Sequence, residues 1–268
     1  ADGVIDGVSV TGSDIIVRAA SPLVISTPVV DSGGGDIILT ATNDGGLDDD
    51  LTISANVTAT GGNGAIDLNA GTDLLIDNDA VVSTAGSGAI TGDAERAITV
   101  KSNLATTTIQ SADGAITLNA NQGVTPVVGD FYGIYLDGSL VETANGAISL
   151  TGQGGDNSGG SPSDDNDGIF VAGATIRSTG TGTITLVGTS TAGPNSDGID
   201  LDEDSGGAAA IVTSVAGAIS ITGVSSNSEC GFEFQSGSTV SSTGTGASAA
   251  TITIQGTGDA YGGYVEGI

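Results

Sequence analysis

The chain has 268 residues, 4 basic against 32 acidic, giving a net charge of −28, with no histidine and one cysteine. That charge repels phosphate backbones and anionic lipid and so excludes nucleic-acid binding. The absent His and lone Cys230 remove the usual zinc, iron and thiol chemistry, and with them any disulfide framework.

Hydrophobic residues make up 38% of the chain but aromatics only 3%, so the apolar side chains are mostly small or β-branched. They suit a thin core lined by strands. In chain order, the first such segments are Asp14-Ile15-Ile16-Val17, Leu23-Val24-Ile25 and Gly35-Asp36-Ile37-Ile38-Leu39. Leu51-Thr52-Ile53, Val57-Thr58 and Gly64-Ala65-Ile66-Asp67-Leu68 follow, and then Leu74-Leu75-Ile76, Val81-Val82-Ser83-Thr84 and Gly88-Ala89-Ile90-Thr91. From there the same three kinds of segment recur. Ile98-Thr99-Val100, Gly133-Ile134-Tyr135-Leu136, Gly168-Ile169-Phe170-Val171, Gly198-Ile199-Asp200-Leu201 and Gly231-Phe232-Glu233-Phe234 are of one kind, strand A. Thr175-Ile176-Arg177-Ser178-Thr179 and Thr239-Val240-Ser241-Ser242 are of the hydroxyl-rich kind, strand B. The third kind, strand C, reads Gly-x-Ile-x-Leu at Gly114, Gly146 and Gly182, with variants at Gly217 and Ala250.

Each segment alternates apolar and polar residues, the period-two pattern of a half-buried strand, and no helical period is present. Copies of strand C lie roughly 22 to 36 residues apart, within the range of solenoid repeats. The pattern predicts an all-β fold, a right-handed parallel β-helix with three short strands per coil and about nine coils over 1–268. Ile66, Ile116, Ile148, Ile184 and Ile219 are expected to stack as one internal aliphatic ladder. The longest insertions, at 119–132, 151–167 and 187–197, all fall between strand C and the next strand A. Insertions gathered on one edge of a solenoid commonly mark its interaction edge. With no methionine and no capping segment, the chain is expected to be part of a longer protein.

The phrase Gly-Ala-Ile-Thr-Leu-Asn-Ala at Gly114–Ala120, with a variant at Gly64–Ala70, resembles the repeats of large bacterial exoproteins of the filamentous-haemagglutinin and autotransporter-passenger kind. The resemblance implies a secreted or cell-surface β-helix used for adhesion or as a stalk. It carries over no catalytic residues, so no enzyme activity is expected from it. No apolar run reaches transmembrane length, and membrane insertion is not expected.

Three sets of residues are candidates for function. The run Ser163-Asp164-Asp165-Asn166-Asp167-Gly168 is followed one coil later by Asn195-Ser196-Asp197-Gly198 and Asp202. Alternating Asp and Asn oxygens closed by Gly can hold a hard cation, which points to calcium on Asp164, Asp165, Asp167, Asp197 and Asp202. The competing reading is that these are solvated turn residues favouring Asx turns. Along strand A the outward position reads Tyr135, Phe170, Asp200 and Glu233 on successive coils, a ligand-binding column suited to surface glycans. The last two are spaced like a paired acid and base, the alternative of a polysaccharide lyase or hydrolase. On strand C the outward Thr117, Ser149, Thr185 and Ser220 form a neutral flat strip. It suits lateral packing against copies of the chain or neighbouring domains of the parent protein. It also suits simple strand exposure or, less well, a hydroxyl array for ice.

Overall fold

The computed structural model describes residues 3–5, 7–20, 22–45, 48–157, 166–191, 195–226, 229–258 and 263–265. For 3–5, 264 and 265 the backbone alone is described. Among the described residues, twenty-eight strands form three sheets of ten, nine and nine strands, and every ladder between them is parallel. Successive strands in each sheet are three apart in chain order, so the chain winds through sheets A, B and C once per coil. This is a parallel β-helix, consistent with the expected right-handed wind. The single helical element among the described residues is a 3₁₀ turn at Gly246–Ser248.

The core follows from the alternation. In sheet C, Ile15, Ile37, Ile66, Ile90, Ile116, Ile148, Ile184, Ile219 and Ile252 are consecutive register partners. Those from Ile37 to Ile219 are fully buried, and the five named in the sequence lie in one column. Sheet B contributes a parallel column of Val29, Val57, Val82, Ile109, Val141, Ile176 and Val212. Sheet A contributes two columns, of which Leu23, Leu51, Leu74, Ile98, Ile134, Ile169 and Ile199 form one. Each coil exposes these side chains until a neighbour stacks on it, so the core exists only in the stack.

The glycine that opens the Gly-x-Ile-x-Leu phrase has a steric cause. At the corner between sheets B and C each Cα faces the preceding coil along the stack. A Cβ on Gly88, Gly114, Gly146, Gly182 or Gly217 would lie 1.8–2.1 Å from the carbonyl oxygen of the equivalent glycine below. No side chain fits at that distance. Beside this column runs a hydroxyl ladder at the last inward position of sheet B. The Thr84 Oγ1 donates to Gly88 O at 2.6 Å, and the Ser111 Oγ donates to the same oxygen at 2.9 Å. In one lower coil the ladder position holds Asp31, fully buried, whose carboxylate accepts the N–H groups of Gly12, Gly33 and Gly34. Burial opposes its charge, but those backbone donors outweigh it and hold the carboxyl below the usual range.

The insertions begin later than the sequence pattern predicts. Sheet C strands lengthen to Ile148–Gln153, Ile184–Ser190 and Ile219–Ser225, so the loops start at 154 and 191 and, in the earlier coil ending at Ala120, at 121. The extra residues run beside the start of sheet A because both sides of the approach are glycine. A Cβ on Gly152, Gly188 or Gly223 would come within 1.7–2.1 Å of the Gly168, Gly198 or Gly231 oxygen. The extensions at 151–153, 187–190 and 222–225 put glycine at the inward position after the Leu or Ile, which breaks the apolar alternation and hides them.

Candidate functional site

The loop-bearing corner between sheets C and A carries a repeated carboxylate device. An Asp just before strand A accepts the backbone N–H of the equivalent corner residue one coil on. Asp50 Oδ1 accepts Asp73 N–H at 3.1 Å, and Asp73 Oδ1 accepts Ala97 N–H at 3.1 Å. Higher in the stack Asp167 Oδ1 accepts Asp197 N–H at 2.6 Å, and Asp197 Oδ1 accepts Cys230 N–H at 2.8 Å. The lower pair has a countercharge, because Arg96 grips Asp73 through two N–H donors and lies 5.8 Å over the Phe131 ring.

The upper pair has a different setting. A cavity of about 420 Å³ opens there, lined by Asp167, Asp197, Asp200, Asp202, Glu229 and Glu233, with Asn195, Gln235, Tyr132 and Phe170. No Lys or Arg lines it. Asp200 and Glu233 are register partners on adjacent strands of sheet A. Asp200 is only 8% exposed, Asp197 6% and Asp167 4%. The Asp200 Oδ2 receives a long bond from Gln235 Nε2, 3.4 Å, while Oδ1 is buried with no hydrogen-bond partner. Burial, a hydrogen bond with Glu233 and the nearby Glu233 charge push the Asp197 carboxyl up to about 8, against the Cys230 N–H that favours its ionisation. Burial, then the charges of Asp197, Glu233 and Asp202, push Asp200 up to about 8. Oxygens of Asp197 and Glu233 and the Cys230 sulfur all lie within 4.8 Å of one another.

Next to the cavity stands an aromatic cluster. The Tyr135 and Phe170 rings, register partners on adjacent coils, stack with centroids 5.4 Å apart and planes 8° from parallel. Tyr132, from the long 121–133 loop, leans across both at 5.3 and 5.0 Å. The expected column of exposed rings and carboxylates is therefore corrected on two counts. The rings are half-buried, because Tyr132 covers them, and Asp200 is buried, because it sits at the base of the loop-walled cavity.

Two candidate sets thus converge. Asp167, Asp197 and Asp202, expected as cation ligands, share one cavity with Phe170, Asp200 and Glu233, expected as ligand-binding residues. Asp164 and Asp165 lie outside the described residues. The sequence reading missed Tyr132, Glu229 and Gln235, which come from loops and a strand end with no pattern in common. Thr117, Ser149, Thr185 and Ser220 form the predicted outward column on sheet C, remote from this cavity. Cys230 is buried and free, its thiol pushed up to about 11 by burial and by Asp197 and Glu233. Comparison of the chain with protein-family models, curated proteins and solved structures finds no match.

Proposed function

We propose that this chain is a structural and adhesive segment of an extracellular bacterial surface protein. Its stiff stack holds one irregular edge, at sheet A, as a contact surface for surface glycans. The observation that carries the reading is the stacked Tyr132, Tyr135 and Phe170 cluster beside a cavity rich in carboxylate and amide oxygens. Aromatic faces pack against the C–H face of a sugar ring, and Asn195, Gln235 and the carboxylates suit its hydroxyls. The net charge of −28 favours neutral or amino sugars over acidic ones. The neutral hydroxyl strip of sheet C leaves a second flat face for side-by-side packing with other copies.

The test is titration of neutral and amino oligosaccharides against the chain, followed by calorimetry and tyrosine fluorescence. Saturable binding that Tyr135→Ala and Phe170→Ala each weaken supports the reading. A panel without binding, or binding indifferent to both substitutions, overturns it. One observation favours a second reading as a carbohydrate-active enzyme: Asp200 and Glu233 are adjacent, and Asp200 holds its proton well above the usual carboxylate range, as a general acid requires. Release of reducing ends that is lost in Asp200→Asn and in Glu233→Gln would establish that reading over simple binding.

A further inference from the structure

Independently of the glycan reading, we infer that the cavity at the upper C-to-A corner is a divalent-cation site of the calcium class, with Asp197 and Glu233 as its central ligands and Asp200 in the wall of the same cavity. Three separate observations point there. The first is the contrast between two versions of one corner device. At Asp50 and Asp73 the stacked carboxylates are answered by Arg96, whereas the chain's other basic residues are placed elsewhere. Arg177 pairs with Glu142 on sheet B, Lys101 sits opposite Asp137 on a lower coil, and Arg18 lies far down sheet C. The Asp197 cavity gathers six carboxylates and has no basic lining residue.

The second is Asp200 itself. A carboxylate 8% exposed, lining a cavity, with an oxygen that is buried and unpartnered, leaves a strong acceptor unsatisfied. Buried acceptors are ordinarily satisfied, and the cavity supplies no donor to this one. The third is distance. Ligand atoms of Asp197 and Glu233 lie within 4.8 Å of each other, and calcium–oxygen bonds of about 2.3–2.6 Å let one ion span that gap. Asn195 and Gln235 carbonyls and the flanking Asp202 and Glu229 offer further oxygens within the same cavity, as a cation of high coordination number requires. The donor set is oxygen-rich with one sulfur, which selects a hard cation over a thiophilic one. An ion there would join the strand ending at Asp202 to the one at Phe232–Phe234 and so staple two consecutive coils.

The experiment is calorimetric titration of the metal-stripped full chain with CaCl₂, in parallel with terbium luminescence excited through tyrosine, since Tyr132 lines the cavity. The expected result is one saturable site with a dissociation constant at or below about 1 mM. Asp200→Asn and Glu233→Gln, separately and together, should each weaken it at least about tenfold, because charge count sets calcium affinity. Asp93→Asn, an acidic change on sheet C, should leave it unaltered. The Asn and Gln variants relieve repulsion and should fold at least as well as the parent, which circular dichroism checks. Heat released equally by NaCl at matched ionic strength, or calcium binding unchanged in the double variant, would overturn the site. Zinc binding tighter than calcium and abolished by Cys230→Ser would overturn its assignment as a hard-cation site.

Discussion

Gly114 tests the stacking geometry most sharply. A Cβ at this position would lie 1.8 Å from the Gly88 oxygen and 2.4 Å from its carbon. Carbon and carbonyl oxygen ordinarily approach no closer than about 3.3 Å, so Gly114→Ala forces the two coils apart locally by roughly 1.5 Å. Overpacking of that kind costs about 1–3 kcal/mol. The separation also disturbs two bonds at the same corner, Ser111 Oγ to Gly88 O and Gly114 N to Ser111 Oγ, both 2.9 Å. At about 1 kcal/mol for each bond the total reaches about 3–5 kcal/mol. Urea unfolding followed by circular dichroism should show a midpoint lower by roughly 1–1.7 M, for a slope of about 3 kcal/mol/M. Gly123→Ala is the control: its nearest neighbour would be Thr125 O at 3.4 Å, and its effect should stay within about 0.5 kcal/mol. Equal midpoints for the two variants would refute the close approach of the glycine column.

Other consequences can be checked singly. Replacing Thr117, Ser149 and Thr185 by Lys should leave the fold intact and suppress side-by-side assembly in sedimentation at high concentration; unchanged assembly of a well-folded triple variant rules this face out. The folded-state pKa of Asp31 is lowered, so its stabilising contribution is present above about pH 4 and lost as the pH falls further. Asp31→Asn should therefore flatten the acid limb of the stability profile, and an unaltered limb would contradict the role given to its three backbone donors. Burial, and next the charge of Asp137, push the Tyr135 phenol up to about 12, so its folded-state pKa exceeds the unfolded one and stability is lost as pH rises through that range. An ultraviolet titration of the chain's 4 tyrosines should show one late step that Tyr135→Phe removes; a single transition near pH 10 would contradict this.

The coil architecture was legible because its causes are local and repeated. Alternation exposed strands A and C, and identical placement of Ile66, Ile116, Ile148, Ile184 and Ile219 in one phrase exposed their column. Several sheet B strands left little trace: Val29–Asp31 ends in a buried carboxylate, and Thr108–Ser111 and Ile211–Ser214 carry hydroxyls at inward positions. There an inward polar residue is satisfied by backbone groups of a neighbouring coil, which no reading of one segment reveals. The site was legible in pieces. Asp167, Asp197, Asp200 and Glu233 stood out as acidic residues on successive coils, but their merger in one cavity depends on how the loops fold. Tyr132 and Gln235 carry no sign of belonging there, because proximity across coils is created by stacking rather than by spacing along the chain.

Ligands are expected to meet this solenoid at one place, the aromatic and carboxylate edge of sheet A. Amide chemical-shift mapping of the isotope-labelled chain tests it most directly, with CaCl₂ added first and an oligosaccharide found to bind added second. Shifts on both additions should concentrate in residues 131–137, 166–172, 195–204 and 229–235, with sheet C left unmoved. Shifts centred on the hydroxyl strip at Thr117, Ser149 and Thr185, or spread evenly along the stack, would contradict it.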